Sequence, residues 1–254
     1  AEVPSRTVLR TRVDATSYAD ATERIVAWAK AGERGYVCAA NVHMVMEGWD
    51  SPDFQAVVNG ARLVTPDGMP LVFMLRRQGL GAQSRVYGPD LMLHLCEAAA
   101  RDGVPIGLFG ATDGSLSVLQ ANLSARFPAV RIAYAFAPPF RPLTDEEDAL
   151  EVGRIRDAGV RLLFVGLGCP KQERWMAAHA DRLDVIQVGV GAAFDFHAGR
   201  VRQSPAVLQR LGLEWAFRFA MEPRRLWRRY LRHNPRFVAL ATLQLLGKRW
   251  SPDA

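Results

Sequence analysis

The sequence predicts an α/β fold: a Rossmann-like, mostly parallel sheet with helices on both faces, followed by a basic helical C-terminal appendage. Three observations carry this. Short apolar runs of strand length alternate with stretches of helix length through residues 1–200, the pattern of a parallel sheet whose strands are joined by helices. Several of those runs end in a glycine or asparagine turn that opens a helix, as in Gly166-Leu167-Gly168-Cys169-Pro170. The pattern then breaks. From Arg200 to the end, 12 Lys and Arg stand against 3 Asp and Glu, a net of +9 in a chain whose total is +6. The reading is therefore a core over residues 1–200 and an appendage over 201–254, a size that suits one large domain with an addition.

Tyr18 to Lys30 places Ala21, Ile25, Trp28 and Ala29 near one face, which predicts the first helix. Tyr36 to Ala40 predicts a buried strand ending at the polar tip Asn41-Val42-His43, where strand meets helix. Ser51-Pro52 supplies a cap and a first helical residue for a short helix to Asn59. Arg62 to Thr65 predicts a strand closed by Pro66-Asp67-Gly68, with a helix over Met69 to Gln78 behind it. Arg85 to Asp90 leads into a helix over Leu91 to Arg101, Asp90 favouring its positive dipole end. Val104 to Phe109 predicts a strand, Gly110 to Ser115 a loop, and a helix follows to Phe127. After a strand at Val130 to Ala135 comes the irregular segment 137–142. Thr144 and Glu147 then have capping-box spacing for a helix to Ala158. Leu162 to Val165 predicts a strand, Gly166 and Gly168 a sharp turn, and Pro170 the first turn of a helix carrying Gln172, Glu173 and Trp175. Val185 to Val188 is a further strand, before the glycine-rich Gly189 to Gly199.

Composition narrows the function classes. No apolar run reaches the roughly 18 residues of a membrane-spanning helix, and the first residues contain no apolar signal-peptide core. Cys38, Cys96 and Cys169 are odd in number and lack CxxC spacing, which predicts free thiols in a reducing compartment. The GLFGATDGS segment lacks full GxGxxG spacing, and GK[ST], GxSxG and HExxH are all missing. His43, His94, His179 and His197 are isolated in sequence and suit scattered core or surface positions. No DxD pair occurs, so neither a metal nor any other cofactor is expected.

In RRLWRRYLR (Arg224–Arg232), Leu226, Trp227, Tyr230 and Leu231 share one helical arc, with the arginines filling the other. A basic amphipathic helix with Trp and Tyr at its boundary suits an anionic membrane surface. Phe237 to Leu246 is apolar but too short to span a bilayer, and fits either docking on the core or lying in the interface. Nucleic acid is the rival partner, without a motif to support it. A lipid- or nucleic-acid-binding module without catalysis is the alternative to an enzyme.

Three places can bear chemistry. The stretch from Arg161 to Trp175 converges backbone N–H groups and a positive helix end at a strand's carboxyl end, a setting for an anion. A βα turn whose glycines serve packing accounts for the same residues. Asp67 sits in a Pro-Asp-Gly sequence common in turns, yet falls where a carboxylate is well placed as a general base. Asp195 suits sugar or nucleotide hydroxyls, or equally a turn.

Taken together the motifs resemble the WecG/TagA/CpsF family of bacterial glycosyltransferases (glycosyltransferase family 26). The resemblance rests on TPDG (Thr65–Gly68), RVYGPDLM (Arg85–Met92), GLFGATDGS (Gly107–Ser115), GLGCPKQERWM (Gly166–Met176), GVGAAFDFHAG (Gly189–Gly199) and LGLEWAFRFAMEPRRLWRRY (Leu211–Tyr230). It implies an inverting, metal-independent enzyme that moves a sugar from a UDP-sugar to a polyprenyl-diphosphate-linked saccharide. The expected setting is the cytoplasmic face of the inner membrane, where the protein is peripheral, with a homo-oligomer as a further possibility. By this resemblance Asp67 is the general base, and Gln172 and Asn41 share the catalytic centre. Arg218, Arg225 and Arg228 meet diphosphate. Thr65, Arg85, Asp90, Gly110, Gly168, Lys171, Glu173, Gly191, Phe194 and Asp195 are the remaining candidate substrate-binding residues. Residues 133–142 (AYAFAPPFRP) and Cys169 are nearer the exopolysaccharide glucosyltransferase branch, so glucose, N-acetylmannosamine and its uronic acid all stand as donor sugars.

Overall fold

A computed structural model describes residues 3–250, apart from 206, 209–212 and the side chain of Arg225. Its centre is a six-stranded sheet built from β3 (Gly35–Ala40), β4 (Leu63–Pro66), β5 (Ile106–Gly110), β6 (Ile132–Phe136), β7 (Leu162–Gly166) and β8 (Ile186–Gly189). The spatial order is β4-β3-β8-β7-β5-β6, and every pairing is parallel. All six carboxyl ends therefore lie along one edge, where α/β sheets hold ligands.

Strand alternation divides the core in two. Val37, Leu63, Leu108, Phe164 and Val188 face one layer, formed by α1 (Tyr18–Lys30), α5 (Gly88–Asp102), α6 (Asp113–Arg126) and α9 (Ala193–His197). Cys38, Val64, Phe109, Leu163 and Val165 face the other, formed by α2 (Val42–Asp50), α3 (Pro52–Asn59), α4 (Met69–Arg77), α7 (Asp145–Asp157) and α8 (Lys171–His179). Strands buried on both faces read as continuous apolar runs rather than alternating ones, which is how these runs looked in the sequence. The caps match the sequence as well. Ser51 accepts from the Phe54 amide, and Thr144 with Glu147 closes a reciprocal capping box. Pro170 stands one place earlier than expected, just outside α8 rather than in its first turn.

One element has no counterpart in the sequence reading. β1 (Ser5–Val8) and β2 (Thr11–Asp14) form an antiparallel hairpin joined by Leu9-Arg10. It is tied to the sheet edge where the Val64 amide donates to Asp14 at 2.7 Å.

The C-terminal segment forms α10 (Glu214–Met221) and α11 (Pro223–Leu245), and α11 runs unbroken through Pro235. It packs against α2, burying Leu226, Phe237 and Ala241. Trp227, Leu231 and Val238 stay exposed. The apolar face thus divides between docking on the core and facing outward. Among the described residues, no helix is long and apolar enough to cross a membrane. The three cysteines are free.

Candidate active site

Two strand ends build the floor. β3 stops at Asn41, whose side chain caps α2 by accepting from the Met44 amide at 3.2 Å. β4 stops at Asp67, whose amide donates to Ala40 O at 2.9 Å, locking the two strand ends side by side. Asp67 is buried. Its Oδ1 accepts from the Gly88 amide at 2.7 Å, and its Oδ2 lies 3.5 Å from Asn41 Nδ2. Burial pushes the carboxyl up to about 6, against the pull of Arg85 and of those hydrogen bonds. Arg85 donates to the backbone carbonyl of Asp67, stacks over Tyr87 at 4.0 Å and pairs with Glu214 of α10 at 2.7 Å. One arginine thereby joins this floor to the C-terminal segment.

Gln172 forms the adjacent wall. Its Oε1 accepts from the amides of Gly168 at 3.1 Å and Gly191 at 3.0 Å, while Nε2 donates to Glu173 at 2.7 Å. A single side chain thus ties the loop after β7 to the loop after β8. Gly168 adopts φ +80° and Gly191 φ +53°, the left-handed region that favours glycine. Glu173 lies fully buried behind Gln172, and burial raises its carboxyl to about 7.

These walls and the C-terminal helices enclose a cavity of about 920 Å³, a volume of the size that small-molecule sites take. Asn41, Asp67, Arg85, Gly168, Gln172 and Gly191 line its floor, with Arg218 and Arg229 in its roof. Arg218 lies over the Phe196 ring at 5.7 Å, and its Nε is buried with no hydrogen-bond partner among the described residues. Exposed apolar side chains also line the cavity, Phe73, Trp215, Phe219 and Leu231. A guanidinium and a buried carboxylate lining one cavity suit a ligand with both an anionic part and a hydroxyl.

Other residues singled out in the sequence do not line this cavity. Thr65 is buried within β4. Asp90 holds the start of α5 through Tyr18 and Gln203, each at 3.4 Å. Gly110, at φ +138°, lies so close to β7 that an added Cβ would sit 2.6 Å from the carbonyl carbon and oxygen of Gly166. Phe194 fills the core below Gly166, and Asp195 lies 3.5 Å from the Ser115 hydroxyl. Lys171 is exposed at the start of α8. Arg228 is exposed against the Trp227 ring, and the Arg225 side chain falls outside the described residues.

Sequence reasoning missed three contributors to the site. Glu214 fixes Arg85, and Arg229 lines the roof. His43, dismissed as isolated, meets His233 and Glu47 near the cavity. Arg229 could have been flagged from its place in the arginine arc, whereas nothing in the spacing joins His43 to His233.

The family described as "Glycosyl transferase WecG/TagA/CpsF family" matches residues 6–251, nearly the whole chain.

Proposed function

The chain belongs to the WecG/TagA/CpsF family and is a glycosyltransferase of cell-envelope polymer synthesis, and on that premise we propose that it is an inverting enzyme with Asp67 as general base. The donor in this reading is a UDP-sugar carrying glucose, N-acetylmannosamine or its uronic acid. The acceptor is a polyprenyl-diphosphate-linked saccharide. The observation that carries the reading is the buried carboxyl of Asp67 at the sheet's carboxyl edge, raised to about 6 and facing a cavity roofed by arginine.

The chemistry follows from that geometry. The acceptor hydroxyl oxygen attacks C1 of the donor sugar, and its proton passes to Asp67. The bond from C1 to the diphosphate oxygen breaks, and UDP leaves with the bonding electrons. Attack opposite the leaving group inverts the anomeric centre. Oδ1 is engaged by the Gly88 amide, so Oδ2, with only Asn41 at 3.5 Å, receives the proton. A base near 6 is ionised at neutral pH yet more basic than an ordinary carboxylate. Charge developing on the departing diphosphate falls to Arg218, a preorganised donor that serves without a metal.

The apolar rim supports a lipid-linked acceptor. Phe73, Trp215 and Leu231 are exposed beside the cavity mouth, and the net charge of the C-terminal fifth favours anionic lipid. Attachment is peripheral, at the cytoplasmic membrane face.

The test is UDP release from a panel of UDP-sugars with a lipid-diphosphate-linked sugar as acceptor, in the presence of EDTA. Acceptor-dependent release from one donor names the sugar and establishes turnover without metal. A panel that stays silent, together with no UDP binding by calorimetry, overturns the donor assignment.

A further inference from the structure

Where α11 crosses α2, three side chains with metal-ligand chemistry converge. One ligand atom from each of His43, Glu47 and His233 lies within 4.8 Å of the other two. His43 and Glu47 are four residues apart on α2 and share its face. His233 reaches them from α11. Glu47 Oε1 lies 3.7 Å from His43 Nδ1 and 3.4 Å from His233 Nε2, and the two imidazole rings are 5.3 Å apart. Hydrogen bonding leaves the group incomplete. The 3.7 Å contact is too long for a hydrogen bond, and His43 Nδ1 is buried without a partner among the described residues. His233 is only 4% exposed, and its own Nδ1 likewise has no partner among them.

We propose that His43, Glu47 and His233 bind a divalent transition-metal ion of the Zn²⁺ class, which clasps α11 onto α2 beside the cavity. Two imidazoles and a carboxylate are a ligand set that suits Zn²⁺. Ligand atoms around such an ion, at about 2.0–2.1 Å each, stand roughly 3.3 Å apart. Glu47 is close to that spacing from both histidines, so small side-chain rotations complete the site. Three protein ligands leave one position open, and two of them, His43 and His233, line the cavity.

The surrounding charges are mixed. Arg229 acts on His43 and opposes a cation, while Glu47 supplies negative charge. Arg232 and Arg236 are held by Asp50 at 3.0 Å and 2.6 Å. Those ion pairs, with Phe237 and Ala241 buried, dock α11 without metal as well. The ion therefore tightens the clasp and takes no part in the chemistry at Asp67.

The test is titration of the full-length, metal-stripped chain with Co²⁺. One equivalent is expected to give the visible d–d absorption of a low-coordinate site, displaced by Zn²⁺. Glu47→Gln and His233→Ala are expected to weaken Co²⁺ binding by about tenfold or more, while His94→Ala, a histidine far from the cluster, leaves it unchanged. Zn²⁺ should raise the melting temperature of the wild type and of His94→Ala but not of the two ligand variants. Circular dichroism checks that each variant is folded. If His233→Ala unfolds, His43→Gln, on the partly exposed side of the cluster, takes its place. No absorption with Co²⁺ in large excess overturns the proposal, as do bands of equal affinity in Glu47→Gln and the histidine variant.

Discussion

Replacing Asp67 by Asn separates the catalytic reading from the structural one, because the two predict opposite signs for stability and turnover. Burial holds the Asp67 carboxyl at about 6 in the folded chain, against an ordinary value of 3.8. Ionisation at neutral pH thus opposes folding. The difference of about 2 pH units corresponds to roughly 3 kcal/mol at pH 7. The folded-state value is raised, so this cost is fully present above about pH 6, falls to about half at pH 5, and vanishes below the unfolded value. Asn removes it. Asn also keeps the bond from the Gly88 amide through its own oxygen, but it turns an NH₂ group toward Asn41 Nδ2, whose partner oxygen is committed to capping α2. Losing that long contact costs about 1 kcal/mol. The net expectation is a gain of about 2 kcal/mol at pH 7 that shrinks to near zero by pH 5. Urea unfolding of both proteins at the two pH values reads this directly. Turnover should fall by about 10²-fold or more for loss of the base. A variant less stable than wild type at pH 7, or one with normal turnover, would refute the reasoning.

Four further outcomes follow from the same geometry. The pH profile of kcat/KM should have an acid limb near pH 6, dropping about tenfold per pH unit below it as Asp67 takes up its proton; a rate flat down to pH 4.5 contradicts the assignment. Gly110→Ala forces a Cβ to 2.6 Å from the Gly166 backbone at a φ of +138°, and about 3–5 kcal/mol should be lost, seen as a melting temperature lower by roughly 10 °C. Gln172→Ala frees the Gly168 and Gly191 amides, so kcat/KM should fall at least about tenfold while circular dichroism shows a retained fold. Trp215→Ser and Leu231→Ser remove exposed apolar side chains at the cavity mouth; each should weaken sedimentation with anionic vesicles by about tenfold, with added salt weakening the wild type as well.

The layered core and the cavity floor were readable because the information is local. Thr65 to Gly68 carries its own strand end and turn, and Gly166 to Gln172 its own turn and helix start, so the two walls could be placed without knowing that they meet. The hairpin at the N-terminus was unreadable for the opposite reason. Its turn is Leu9-Arg10, with none of the Asn-Gly or Asp-Gly chemistry that marks a two-residue loop, and Leu9 sits at φ +57°. What supports that turn comes from 235 residues away, where Gln244 accepts from the Leu9 amide and donates to Thr7 O. The C-terminal helix misled in a similar way. Arg224–Arg232 and Phe237–Leu246 read as two segments, and the Pro235 between them removes an N–H and crowds the preceding turn, yet one helix covers both. In the fold the carbonyl left without its partner is that of Leu231, and both residues border the open cavity, where the unpaired group costs less than in a core. The same distance in sequence hid the roof. Glu214 reaching Arg85, and His233 reaching Glu47, are contacts that no spacing encodes. Short motifs thus carry Asp67 and its floor, whereas α11, which roofs the cavity, is held to α2 by side chains far apart in sequence. Substitutions in α11 should therefore shift how the cavity opens before they touch the chemistry at Asp67.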